Sequence, residues 1–252
     1  MEVSVAPGAS VDAGAALGPG VRVGSGAVVY SNVEVGAGSV VGEHCVLGTG
    51  APTDDPLRIG PGATIRSHSV LYQGAQLGPR FETGHHSLVR AGSVVGEGVR
   101  LGSYSSLEGN LTVDDYVTIA GYTQIGPGAA IGEFAWIFSL VTLTNDPLPP
   151  SNLFAPVVIG PGAVVCVGVT LLPGSEVGLG GFVAAGATVT AKVPPGQVLT
   201  KEGKLAGPVT RLVNLEAGLG HPWPLHFTER FPPEAQDRLA ALKDEILAAC
   251  NP

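Results

Sequence analysis

From Val5 to Leu143, stepping by six, 22 of 24 positions are Val, Ile or Leu, with only Thr53 and Thr83 as exceptions. A second block keeps the spacing at Ile159, Val165, Leu171, Val177, Val183 and Val189. A strict period of six fits neither an α-helical turn nor the alternation of one long strand, so it marks a repeat architecture. Glycine follows the aliphatic residue at 11 of the 22 positions, among them Gly18, Gly24, Gly36 and Gly42. Branched side chains suit a short strand and glycine suits the sharp corner after it. One hexad cannot bury its own aliphatic residue, so hexads must wrap around a shared axis. Three faces per turn give an 18-residue coil, and stacked coils pair as parallel sheets about 4.7 to 4.9 Å apart.

Positions 18 apart then lie above one another, and the two blocks together make about ten coils. Leu143 and Ile159 are separated by one hexad plus ten further residues. The segment NDPLPPSNLFAP, residues 145–156, is therefore expected to leave the coil as a loop, and its prolines argue against a buried strand. The period stops after Gly196, which divides the chain into a solenoid over 1–196 and an extension over 197–252. Residues 197–232 show no clear pattern. From Pro233 the spacing of Leu239, Leu242, Ile246 and Leu247, with Glu234 and Asp237 near the start, predicts a C-terminal helix. Its expected task is to cover the open end of the solenoid or to pack on a neighbouring subunit.

Composition sharpens this picture. With 38 Gly and 21 Pro the chain could pass for disordered, but 44% hydrophobic residues held in register indicate many tight turns around a core. A net charge of −8 without blocks of like charge disfavours nucleic acid and anionic membranes as partners. No apolar run approaches the roughly 20 residues of a membrane span, and MEVSVAPGAS lacks the features of a signal peptide, so a cytoplasmic protein is expected. Cys45 occupies the fifth place of its hexad, as Ala27, Ser39, Ala63 and Ser69 do, and reads as a small core residue.

Candidate chemistry gathers where the pattern is weakest. His68 and His86 are 18 apart, and Tyr104 and Tyr122 continue the series, so the four rings should stack on one corner. His85 precedes His86 in FETGHHSLVRAG, where Thr83 replaces the aliphatic core residue. A corner of imidazoles and phenols is a candidate groove for a polar ligand, with His85 or His86 as general base on an amine or hydroxyl.

The hexad pattern resembles the hexapeptide-repeat acyltransferases, which implies a left-handed parallel β-helix and a homotrimer. LEGNLTVDDYVTIAGYTQIG, residues 107–126, is similar to a stretch of the UDP-N-acetylglucosamine acyltransferases. That resemblance implies that Gly109 supplies an oxyanion-hole N–H, and that Glu108 and Asn110 stand beside it as substrate contacts. The histidine on which that family relies falls on Ala91, one hexad after His85. TLTNDPLPPS and the coils after it resemble the nucleotide amino-sugar N-acetyltransferases through Asn145, Asp146, Pro150 and Ser151, while Pro147, Leu148 and Pro149 depart from the motif.

The resemblance implies an enzyme that moves acetyl from acetyl-CoA to the amine of a nucleotide-linked amino sugar. O-acyl transfer to a sugar hydroxyl, long-chain transfer from acyl carrier protein and a non-catalytic scaffold are the alternatives. It further implies substrate contacts at Asn145 and Asp146, while the ring corner itself offers His68, Tyr104 and Tyr122 as candidate substrate contacts. For the acyl donor it implies Phe138, Ser139 and Gly168 along the pantetheine arm. Lys192, Lys201, Lys204 and Arg211 would meet the phosphates. The fold also resembles that of γ-class carbonic anhydrases, whose outer ligand pair His44 and His85 would match, but Arg80 takes the place of the third histidine and no metal is expected.

Overall fold

The computed structural model describes residues 2–51 and 55–250. Short strands, mostly of two or three residues, assemble into three parallel sheets that form the faces of a prism. The first sheet begins with Ser4–Val5 and Arg22–Val23, the second with Ser10–Val11 and Val28–Val29, and the third with Ala16–Leu17 and Val33–Val35. The second and third sheets hold ten strands each, so the solenoid has about ten coils. This is the left-handed parallel β-helix that the repeat implied. Register through the middle of the chain advances by three hexads per coil: Leu71 pairs with Val89, Val89 with Leu107 and Leu107 with Ile125.

The aliphatic residue of each hexad points inward, and from Val23 onward these side chains are buried. Each removes enough apolar surface from water to contribute about 2 kcal/mol. The first coil has no coil beneath it, and Val5 remains 46% exposed. A second inward position takes the small residues: Ala27, Ser39, Cys45, Ala63 and Ser69 are all buried, as expected for Cys45, whose thiol burial pushes above its ordinary pKa. Thr83 keeps its inward place because its hydroxyl is used there. Thr83 Oγ1 accepts the Arg66 N–H at 2.9 Å and lies 3.2 Å from Ser69 Oγ.

Two insertions interrupt the winding. Leu143 pairs with Leu171, one coil plus ten residues further on, so the extra ten leave the coil where the loop was expected. The first insertion was not expected. Val35 pairs with Ile59, Val41 with Ile65 and Leu47 with Leu71, each a full coil plus one additional hexad away. Six extra residues between Thr49 and Leu57 preserve the aliphatic phase while shifting every earlier column by one face. Thr53, the apparent hexad position there, lies outside the described residues. Both insertions leave the prism at the corner between the second and third sheets.

The extension closes the first sheet. Gln197–Leu199 adds a parallel strand at a shortened spacing of 16, and Leu205–Pro208 pairs antiparallel with it. Helix α1, Gln236–Ala249, does not lie across the open end. It runs along the corner between the third and first sheets, where side chains added at Gly162 and Gly180 would strike Leu242 and Ile246. Glycine at this corner lets the helix approach, and aromatic residues one and two coils below Gly162 supply a docking surface. Phe231 meets the stacked Tyr116 and Phe134 edge-on, and Trp223 Nε1 donates to the Gly162 carbonyl at 3.1 Å. Arg238 bridges to Asp115 at 2.9 Å and to Glu133.

Candidate functional site

The corner between the first and second sheets carries the ring ladder. Centroids are 4.7 Å apart from His68 to His86, 4.9 Å from His86 to Tyr104 and 5.0 Å from Tyr104 to Tyr122, with near-parallel planes. His44 extends it downward at 5.1 Å from His68. Counting by 18 would have set Gly62 above His44, and only the six-residue insertion brings His68 there. All five rings sit on residues with φ between 56° and 62°, the left-handed region that glycine occupies at Gly26, Gly168 and Gly186 of the same column. A non-glycine residue there costs roughly 1–2 kcal/mol, so an unbroken run of six, the five rings and Leu140 at φ 63°, is held against a backbone preference. Arg80, Tyr116 and Phe134 bear the same strain on the helix-bearing corner, where they hold the extension. Among the described residues no such segment covers the ladder, and Tyr104 and Tyr122 are 53% and 60% exposed.

Hydroxyl groups back the ladder from inside. Ser87 Oγ donates to the Gly102 carbonyl at 3.2 Å, Ser105 Oγ to Ala120 at 3.0 Å and Thr123 Oγ1 to Phe138 at 3.1 Å. These bonds satisfy buried polar groups and tie successive coils at this corner. His85 stands beside the ladder, exposed, with Nδ1 2.8 Å from Ser67 Oγ. That contact orients the imidazole and leaves Nε2 available for proton transfer.

The corner between the second and third sheets carries a different site. A groove of about 620 Å³ lies above the first insertion and is lined by Asp55, Tyr72, Gln73, Arg90, Glu108 and Asn110. Arg90 reaches Glu108 at 3.4 Å and lies 6.0 Å from the Tyr72 ring centroid. The Glu108 side chain is 18% exposed. Gly109 has φ +93°, and a side chain there would collide with the Ala91 carbonyl, so glycine is required. Its N–H finds no acceptor among the described residues. Upper coils bring the second insertion to the same corner, where Phe154 packs over Gly128.

Asp146 shapes that loop. It accepts Ser151 Oγ at 2.6 Å, Ser151 N–H at 2.7 Å and Leu148 N–H at 2.9 Å, bonds led by the Ser151 hydroxyl that hold its carboxyl below the usual range. The Asn145 carbonyl accepts the Ala155 N–H at 2.8 Å and closes the loop.

Within one chain the second sheet therefore separates His68, His85, His86, Tyr104 and Tyr122 from Glu108, Gly109, Asn110, Asn145 and Asp146. The donor candidates divide as well. Gly168 continues the ring column, the Ser139 carbonyl accepts the Gly168 N–H at 3.0 Å, and Lys201 approaches Gly186 at the top of the same edge. Lys204 lies in the neighbouring turn, its carbonyl accepting the Thr200 N–H at 2.8 Å. Lys192 pairs with Glu176 at 2.8 Å on the third sheet, Arg211 lies by Gly207, and Phe138 lines a cleft on the first sheet.

Sequence reasoning missed Tyr72, Gln73 and Arg90. A signal existed for two of them: Tyr72, Arg90 and Glu108 form one column immediately after the aliphatic residue, where glycine is commonest.

Residues 14–49 match the bacterial transferase hexapeptide family, described as six repeats. No curated protein matches the chain. The solved structures it resembles include UDP-N-acetylglucosamine acyltransferase from Campylobacter jejuni, 16% identical over 94% of this chain and 82% of that one, with a TM-score of 0.43. LpxA from Acinetobacter baumannii is 15% identical over 97% and 91%, with a TM-score of 0.46. PerB from Caulobacter crescentus, solved with CoA and GDP-perosamine, is 18% identical over 79% and 57%, with a TM-score of 0.21.

Proposed function

We propose that the protein is an acyltransferase that moves acetyl from acetyl-CoA to the amine of a nucleotide-linked amino sugar, and that it works as a homotrimer. The observation that carries this reading is the pair of unlike corners flanking the second sheet. One is a strained, uncovered edge of imidazoles and phenols with His85 oriented by Ser67. The other is a polar groove holding Glu108, Arg90 and the Gly109 N–H, which has no acceptor among the described residues. Three copies arranged around an axis parallel to the prism bring the ring edge of one against the groove of the next.

In that junction the acceptor amine attacks the thioester carbonyl carbon. A C–N bond forms, and the oxyanion of the tetrahedral intermediate accepts the Gly109 N–H. His85 Nε2 takes the amine proton. The C–S bond then breaks, the thiolate of CoA leaves, and the imidazolium returns the proton to sulfur. Lys201 and Lys204, at the top of the ring edge, suit the phosphates of the donor. Holding both reactants in line supplies much of the acceleration.

Thiol release from acetyl-CoA, measured across nucleotide amino sugars and their hydroxyl counterparts, tests the reading. An amine acceptor should release thiol, and His85→Ala should lower kcat about 10²-fold or more. Turnover with hydroxyl sugars alone would replace N-transfer by O-transfer. Absence of acetyl-CoA binding by calorimetry would leave a scaffold, and a monomer mass by light scattering would remove the shared site.

A further inference from the structure

The outer surface of the first sheet changes character along a single column. Glu82, Arg100, Thr118, Trp136, Val164 and Phe182 stand on successive strands in direct register. At about 4.8 Å per strand, the four steps from Arg100 to Phe182 span roughly 19 Å. The C-terminal segment passes over this column and leaves two cavities. The lower, of about 400 Å³, is lined by Arg80, Arg100, Tyr116, Thr118 and Arg230 together with Glu82. The upper, of about 450 Å³, is walled by Trp136, Phe138, Phe182, Trp223 and Phe227, with Cys166, His221 and His226. Arg230 marks the boundary, its guanidinium 4.8 Å from the Trp136 ring centroid.

Charge is uneven across that boundary. Arg80 is neutralised by Glu97 and Glu234. Glu82 is shared between Arg66 at 3.7 Å and Arg100 at 4.0 Å. Arg230 makes no ion pair among the described residues, in a chain of net charge −8. Burial and the neighbouring Arg100 push its pKa down against a smaller upward pull from Glu82, the mark of an undercompensated cation.

We propose that this strip is a second ligand site, distinct from the two corners above, for a medium-chain monocarboxylate. Its carboxylate sits on Arg230 and Arg100, and its apolar tail lies in the aromatic cleft. The cleft volume falls within the range of about 300–1,000 Å³ usual for small-molecule sites. A planar guanidinium pairs with a carboxylate through two parallel hydrogen bonds. A single negative charge balances Arg230, the cation of this strip with no ion pair among the described residues, whereas the second charge of a phosphate would face Glu82.

Trp136 and Trp223 are the two tryptophans of the chain and both line the cleft, so intrinsic fluorescence reads occupancy directly. The full-length protein is titrated with decanoate below its micelle concentration, with decanol and with acetate. Decanoate should change the fluorescence saturably, decanol should bind at least tenfold more weakly, and acetate should have no effect. Arg230→Gln should abolish the preference of decanoate over decanol with circular dichroism unchanged. Should that variant lose its fold, Arg100→Gln is read in its place. An unsaturable decanoate response, equal affinity for decanol and decanoate, or a preference that survives in a folded variant would overturn the proposal.

Discussion

Replacing His86 with glycine and, separately, with alanine isolates the strain held in the ring ladder. His86 sits at φ +57° between His68 at 4.7 Å and Tyr104 at 4.9 Å. Either substitution removes two exposed stacking contacts, about 0.5 kcal/mol each at the low end of the range for aromatic pairs. Alanine keeps the unfavourable backbone conformation, so its expected loss is about 1 kcal/mol. Glycine relieves roughly 1–2 kcal/mol of strain and adds about 0.5–1 kcal/mol of unfolded-chain entropy, which places it between about 1 kcal/mol below and 0.5 kcal/mol above the parent, at mid-range about 0.7 kcal/mol above alanine. Urea unfolding followed by circular dichroism should rank glycine above alanine. With a slope of about 3 kcal/mol per molar, the midpoints should differ by about 0.2 M. Alanine more stable than glycine would show that the ladder is unstrained, and the case for a selected edge would lose its energetic ground.

His221 and Cys166 are half-buried titratable groups with consequences that can be measured. Burial, and then the adjacent His226, lower the pKa of His221 below its ordinary 6.5, so the unfolded chain binds the extra proton. That stability is present above the unfolded value and is lost as pH falls through the window below it. The urea midpoint should therefore drop between pH 7 and pH 5 by less in His221→Gln than in the parent, and parallel curves would refute the assignment. Burial raises the Cys166 thiol to about 11, so at pH 8 about one molecule in a thousand carries the thiolate, against about one in four for a free cysteine. Its labelling by a disulfide reagent, identified by loss in Cys166→Ser, should be at least about 100-fold slower than that of free cysteine, and a rate within tenfold would contradict the burial.

Most of the architecture was legible in the sequence because a period of six with one buried aliphatic residue admits few solutions. The three faces, the number of coils, the ten-residue loop and the stacking of His68, His86, Tyr104 and Tyr122 all rest on that local rule, which repeats until it becomes global, while the helix was legible from its own spacing of Leu239, Leu242 and Ile246. The same rule hid the first insertion. A six-residue excursion leaves the phase intact, so the shift of His44 beneath His68 is invisible until strands are paired.

Side-chain chemistry was legible only where a residue broke the pattern, as Thr83, His85 and Glu108 did. Which corner the columns before the first insertion join depends on where that insertion falls in three dimensions, whereas His85 and His86 stand one face away from Gly109 and Asn110 by the count of 18 alone. The course of the extension was likewise beyond local reading. Arg230 is far from Arg100 and Trp136 along the chain, and only the folding of residues 221–232 back across the first sheet places its cation over both. Periodicity determines how a solenoid winds. Contacts between distant, aperiodic segments follow from surface shape and charge, which exist only once the prism has formed.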